Sequence, residues 1–200
     1  MLTSIINPLA ARMYRVFLMP KGVPSEGGWA TGITTPVTCL AGDIIRLENR
    51  QTSTDHYLQV NEYANFGTEY PVPTNDGTTT QIWSQANATY YGELFTIQPL
   101  PSHIGKITKV VLYCVHRGSA AITGAVAPCF KIDSGGTTIC AAVLNVTASW
   151  QTTAGWIITS LAAWTPAMIN SLRIGGVCKG TILAVAGFTQ FYLEVRGEPQ

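Results

Sequence analysis

The sequence predicts an all-β protein: an antiparallel sandwich with one short helix and an extended N-terminal segment. Three observations carry this expectation. The segments of regular hydrophobicity alternate with period two, or run apolar on both faces, as strands do. Clusters of Gly, Pro, Asn and Asp separate them at short intervals. No stretch keeps a helical period beyond about two turns.

Taken in order, residues 1–50 hold a strand at "RMYRVFLM" and another at "DIIRLEN", separated by the Pro/Gly-rich "PKGVPSEGGWATG". That connection is long for a compact domain. Pro8, Pro20, Pro24, Pro36 and the Gly27-Gly28 pair interrupt the apolar patches, leaving too few regular elements for a core. Residues 1–50 are therefore expected to form an extended arm, and residues 51–200 the sandwich. From Asp55 the signals are denser. "HYLQVNE" reads as a strand, and "PVPTNDGTTTQIW" places an Asn-Asp-Gly turn ahead of the next. "GELFTIQPL" alternates Leu94, Thr96 and Gln98 against Phe95, Ile97 and Pro99.

"KITKVVLYCVHRG" is apolar on both faces in its middle and should lie centrally. "AVAPCFKI", the turn "DSGGTT" and "TICAAVLNV" read as a hairpin, followed by "GWIITSL". After "VCKGTILAVAG", the last strand, "FTQFYLEVRG", sets Phe191, Leu193 and Val195 against Gln190, Tyr192 and Glu194. Roughly seven or eight strands so spaced make a sandwich of jelly-roll type.

The helix is expected within "AWTPAMINSL", near residues 165–172. Thr165 supplies an N-cap oxygen, and Pro166 takes the first helical position, where its missing N–H costs nothing. Met168, Ile169 and Leu172 fall on one stripe, which with Trp164 would plug an open end of the sandwich. Gly175 and Gly176 should close the unit.

Composition excludes several function classes. Hydrophobic residues make up 46% and charged residues 12% of the 200, against roughly 25% charged in ordinary soluble domains. Such a chain suits a subunit packed against neighbours. A formal charge of +1 gives no electrostatic case for nucleic acid. No run approaches the roughly 18 apolar residues of a membrane span, and the N-terminus lacks a basic region ahead of its short apolar run. Neither a membrane nor a secretory route is expected, so the sequons at Asn87 and Asn145 read as chance.

The five cysteines, Cys39, Cys114, Cys129, Cys140 and Cys178, are odd in number and without a CxxC pair. We expect buried small apolar residues rather than a disulfide framework. Cys114 and His116 share a strand face, but two ligands without a second pair make a poor tetrahedral site, so no metal is expected. His56 and His103 lie near turn residues and read as surface groups. No nucleophile, phosphate-loop or dinucleotide motif occurs. Asp133-Ser134-Gly135-Gly136 carries the residue types of a hairpin turn. Nothing singles out Glu62 with Glu69, or Asp43 with Glu48, from the 11 acidic residues as a glycosidase pair. No catalytic site and no cofactor are expected. The aromatics Trp29, Tyr63, Phe66, Tyr70, Tyr90 and Tyr91 suit core or subunit packing better than a sugar-binding groove, which stays open as an alternative.

One ordered set of segments carries a family resemblance: "GELF", "KITKVVLYCVHRG", "SGGTT", a Trp-containing stretch, "WTPAMINSLRIG" and "QFYLEV". The chain resembles, over residues 55–200, the jelly-roll domain of structural proteins of tailed bacteriophages: head decoration, head-fibre and some tail proteins. In that family a Trp-Thr-x-x-x-Ile-Asn-x-Leu segment leads into a Gly, matched by Trp164, Thr165, Ile169, Asn170, Leu172 and Gly175. A Gln-x-Tyr-x-Glu-Val strand ends the domain, matched by Gln190, Tyr192, Glu194 and Val195. The resemblance implies a virion protein on the capsid surface, a decoration or cementing subunit and a homotrimer. Its partners would be the major capsid protein or other virion proteins. The alternative is a receptor- or glycan-binding module of a tail or fibre. Heptad, collagen-like and β-helix repeats that would build a fibre shaft are absent from the sequence. The N-terminal arm is expected to anchor the subunit on its neighbours, and loss of residues 1–24 to leave the sandwich folded.

Overall fold

A computed structural model of the chain describes residues 13–22, 33–34, 48–49, 63–64, 72–73, 82–84, 88, 90–132, 138–153, 155–158 and 163–200. Its strands run in order β1 (Tyr14–Leu18), β2 (Pro20–Gly22), β3 (Ile33–Thr34), β4 (Glu48–Asn49), β5 (Tyr63–Ala64), β6 (Val72–Pro73) and β7 (Ile82–Trp83). There follow β8 (Tyr91–Ile97), β9 (Ile104–Gly118), β10 (Ile122–Ile132), β11 (Thr138–Cys140), β12 (Leu144–Val146), β13 (Gln151–Thr152) and β14 (Trp156–Ile157). The helix α1 (Pro166–Ser171) precedes β15 (Leu172–Cys178) and β16 (Ala186–Pro199).

These strands form an antiparallel sandwich of jelly-roll type. In the first sheet β9 lies between β16 and the successive short strands β13 and β14, while β1 and β7 share the other side of β16 and β4 follows β7. In the second sheet the order is β2-β8-β15-β10, with β12 and β11 both on the far side of β10. The spatial orders β1-β16-β9-β13/β14 and β8-β15-β10-β12 are the two interleaved four-strand sets of a jelly roll. Among the described residues the one parallel pairing is the short contact of β11 with β3. β5 and β6 pair separately.

The long central strands form where the sequence is apolar on both faces. In β9, Val110, Leu112 and Cys114 point into the core while Val111 and Val115 are buried on the opposite side. β16 follows it in antiparallel register from Ala186↔Gly118 to Pro199↔Ile104, with irregularities at Phe188/Gln190, Arg196/Gly197 and Glu198/Pro199. Phe95 from β8 meets Phe191 across the sandwich at 6.1 Å between ring centroids. Both faces of β8 are shut off, because Leu94 belongs to a second cluster with Ala127, Cys129, Cys140 and Val177.

The helix forms for the local reasons the sequence gives. The Thr165 hydroxyl accepts a hydrogen bond from the Met168 N–H, and Pro166 occupies the first turn. Ile169 and Leu172 enter the main core, Trp164 packs against its edge, and Met168 is half-buried. The Asn170 side chain accepts from the Leu100 N–H at 2.8 Å, tying the helix to the connection between β8 and β9.

The two glycines do not close the helix, contrary to expectation. Both lie inside β15, where a Cβ at 175 would sit 1.9 Å from the Glu93 carbonyl oxygen and one at 176 would meet the Phe188 ring at 2.7 Å. They are there for close approach.

Residues of the N-terminal segment join the sandwich itself: β1 pairs with β16 from Tyr14↔Gly197 to Leu18↔Leu193, and Val16, Leu18 and Met19 are buried. The chain crosses from the first sheet to the second at Met19, whose N–H donates to the Gln98 side chain and whose carbonyl accepts from the Gln98 N–H. An unpaired edge beside β16 would leave backbone groups without partners, and β1 satisfies them.

The cysteines also differ. Cys129 and Cys140 stand directly opposite each other on β10 and β11 and form a disulfide, with Cα atoms 4.0 Å apart. Cys114 and Cys178 are buried thiols, as expected of small apolar residues. The strand expected at "HYLQVNE" and the turns at 75–77 and 133–137 lie outside the described residues.

Candidate functional site

The outer face of the first sheet carries the most organised group of polar and aromatic side chains. Alternation on β16 sends Gln190, Tyr192, Glu194 and Arg196 to this face, and the register sets Tyr192 beside Tyr113 and Glu194 beside Val111. β1 adds Phe17 opposite Glu194 and Arg15 opposite Arg196.

Glu194 is the centre. Its side chain has no exposed surface, and Arg15 grips it with Nε 2.9 Å from Oε1 and Nη2 3.1 Å from Oε2. This is the bidentate geometry that makes Arg–carboxylate pairs strong. Arg196 Nε donates to Oε1, and the Tyr113 hydroxyl donates to Oε2 at 3.1 Å. Burial alone would raise the Glu194 pKa, but the hydrogen bonds and charges of Arg15 and Arg196 outweigh it and hold the carboxyl below its ordinary value.

Around this group the rings interlock. Tyr113 and Tyr192 stack 4.7 Å apart at 11°, Phe17 meets Tyr192 edge-on at 5.8 Å, and the Arg15 guanidinium lies 4.8 Å from the Phe17 ring centre. Burial, then the neighbouring Tyr113, Cys114 and Glu194, push the Tyr192 phenol up to about 12. Tyr113 is likewise raised, by burial and then by the Glu194 charge. Its ring lies over Gly155 (φ +84°), where a Cβ would come within 2.7 Å. Towards the other end of the face, Arg117 sits between Trp83 and Trp150, 5.3 and 4.5 Å from their rings.

This arrangement fixes the Glu194 carboxylate in one place on the sheet. Glu194 already accepts from three side chains, which leaves it poorly placed as an acid or base. Of the carboxylates considered from sequence, Asp43, Glu62 and Glu69 lie outside the described residues, and Glu48 is placed only by its backbone in β4. Cys114 and His116 do share the inner face of β9, as i and i+2 must. Burial pushes the Cys114 thiol up and lowers His116 to about 4. Among the described residues no three His, Cys, Asp or Glu side chains gather into a metal-binding group.

The other predicted positions are dispersed. Tyr91 is buried in the main core, while Tyr90 donates its hydroxyl to the Gly124 carbonyl and lies under the Lys179 ammonium. Trp29, Phe66 and Tyr70 lie outside the described residues, as do His56, Asn87 and Asp133 to Gly136. Asn145 is exposed and accepts from the Gly124 N–H, serving the bulge between β10 and β12. His103, expected at the surface, is half-buried and meets Tyr14 edge-on. Arg15, Phe17, Tyr113 and Arg117 were not singled out from sequence. The signal for the last two was their odd numbering on the same strand as Val111 and Val115.

No protein-family model and no curated protein matches the sequence. Among solved structures, the family 30 carbohydrate-binding module of a cellulosomal cellulase of Clostridium thermocellum is similar over 92% of this chain and 94% of its own. The identity is 13% and the TM-score 0.37, too low to carry any argument about what this chain binds. Among the described residues no helix is long and apolar enough to cross a membrane.

Proposed function

We propose that this chain is a structural component of a tailed-bacteriophage particle, a decoration or cementing subunit seated on the capsid and bound to the major shell protein or its neighbours. The observation that carries the proposal is where the family-like residues stand in the jelly roll. Thr165 caps the helix, and Trp164 Nε1 donates to the Ile158 carbonyl at 3.2 Å beside it. Asn170 fixes the Leu100 backbone, and Gly175 allows β15 to approach β8. Tyr192 and Glu194 build the outer network. Six of the positions quoted for the resemblance thus perform structural tasks, and Ile169, Leu172 and Val195 lie in the main core. Low charge over a large apolar fraction supports a protein that lives against other subunits. Homotrimeric assembly belongs to the same proposal and follows from the resemblance.

The test is to add purified protein to particles that lack it and to image them. Added density on the shell is expected. Density confined to the tail would overturn the decoration role, and failure to bind any part of the particle would overturn the virion role.

A second function has one observation in its favour. The Phe17, Tyr113 and Tyr192 rings with Arg15 and Arg196 are the side-chain types that grip sugars. Retardation of the protein in gels containing glycan, abolished by Tyr192→Ala, would favour a binding module.

A further inference from the structure

Two features of the surface have opposite shapes. The first is the turn between β15 and β16. Thr181 and Ala184 close it by a two-way backbone pairing, with the Thr181 N–H donating to the Ala184 carbonyl at 2.7 Å. Its tip is Ile182 and Leu183, 87% and 94% exposed. Two-residue turns favour Asn, Asp and Gly, and a β-branched Ile beside Leu is the reverse of that chemistry. Among the described residues nothing in the fold requires two large aliphatic side chains in water there. The turn is nevertheless held in shape, since the Leu183 N–H donates to the Thr181 hydroxyl and Val185 exchanges hydrogen bonds with Ser119. Nearby exposed residues, Ala120, Ala121, Ala148 and Ser149, are uncharged.

The second feature is a cleft of about 330 Å³ at the edge of the sandwich, where the β11–β12 connection parts from β14. Pro128, Leu144 and Trp156 form its apolar walls, and the small residues Ala141, Ala142 and Gly155 leave it open. A cleft of this size falls at the low end of sites that enclose a small ligand. Its lining offers no charge to orient a polar one. Thr153, its one polar side chain, is occupied, because its hydroxyl accepts from the Cys114 N–H.

We propose that copies of this chain assemble head to tail, with Ile182 and Leu183 of one copy seated in the Trp156 cleft of the next. A projecting apolar knob and an apolar hole on different parts of one molecule define a heterologous contact, which repeats around an axis until a ring closes. The contact concerns copies of this chain alone, so its failure leaves the particle-binding role standing, and the reverse.

Light scattering of the full chain tests it with two variants at exposed positions. Ile182→Asp/Leu183→Asp removes the knob, and Ala142→Trp blocks the mouth of the cleft. Wild type should be oligomeric, and each variant alone should be monomeric with an unchanged far-UV spectrum. An equimolar mixture retains one intact knob and one intact cleft, and should therefore give dimers and nothing larger. Leu183→Ser supplies a milder knob variant should the double substitution fail to fold, and it should weaken assembly at least tenfold. A monomeric wild type would overturn the proposal. So would variants that keep the wild-type mass, or a mixture that stays monomeric.

Discussion

On the inner face of β16, Phe191, Leu193 and Val195 have no exposed surface and pack against Phe95, Phe188 and the remainder of the main core. On its outer face, Glu194 is shut off from solvent just as fully, yet by a different device: two guanidinium groups and a phenol close over it. The two faces teach that period-two alternation marks sidedness and not exposure. Apolar contact on the inner side is non-directional and fails by leaving a cavity. A buried carboxylate is directional, and fails by losing a partner that it cannot replace with water.

The largest effect is expected on the inner side. Phe191→Ala should destabilise the chain by about 3–5 kcal/mol, read as a lower urea midpoint at unchanged slope. A loss under about 1 kcal/mol would mean that the core collapses onto the gap, and the contrast between faces would dissolve.

The outer face of the second sheet is held by a third device, the disulfide between β10 and β11. Cys129→Ser/Cys140→Ser should cost about 2–3 kcal/mol, since the bridge closes a short loop. Equal urea midpoints for the oxidised and reduced wild type would remove the bridge from this comparison.

How much of this was legible follows from the range of each signal. Strands β8, β9, β10 and β16 and the helix cap rest on neighbours a few residues apart, so their patterns stand in the sequence. The place of β1 does not, because Arg15 meets Glu194 across nearly the whole chain and nothing local in "RMYRVFLM" names β16 as its partner. The disulfide was missed for a related reason. The hairpin holding Cys129 and Cys140 was legible, but an odd cysteine count argues about totals and is silent about register. In the candidate site, Tyr192 and Glu194 were placed on one face by alternation alone. Their partners Tyr113, Phe17 and Arg15 required the pairing of three strands.

Removing Arg15 sharpens the contrast from the outer side. Arg196 and Tyr113 still hold Glu194, so Arg15→Ala should cost about 1–2 kcal/mol, less than the loss of an inner aromatic ring. In a double-mutant cycle with Glu194→Gln, a coupling that survives high salt would mark a desolvated pair. Coupling abolished by salt would return the pair to the class of surface bridges. The same result bears on the expectation that the sandwich folds without residues 1–24. Their loss would remove β1 together with Arg15, Val16 and Leu18, and the structure now predicts a sandwich weakened by it.

The smallest effect at neutral pH, and the most selective, concerns the polar residue that breaks the inner face's pattern. His116 is buried there beside Cys114, its Nδ1 meets no hydrogen-bond partner among the described residues, and burial lowers its pKa from 6.5 to about 4. The unfolded chain therefore binds a proton at this residue between about pH 6.5 and 4 that the folded chain refuses. Stability should be full above pH 6.5 and decline as pH falls through that window. Glu194, whose pKa is depressed, contributes stability above its unfolded value of 4.5 and loses it only below, so the two windows meet only at the acid end of the His116 window. One pH unit under 6.5, the His116 contribution should be about 1 kcal/mol. His116→Gln cannot titrate, so its urea midpoint should decline less than that of wild type between pH 7.5 and 5.5. Parallel declines in the two proteins would show that His116 is solvated in the folded state. The inner face of this sheet would then be less dry at its His116 end than along Phe191, Leu193 and Val195.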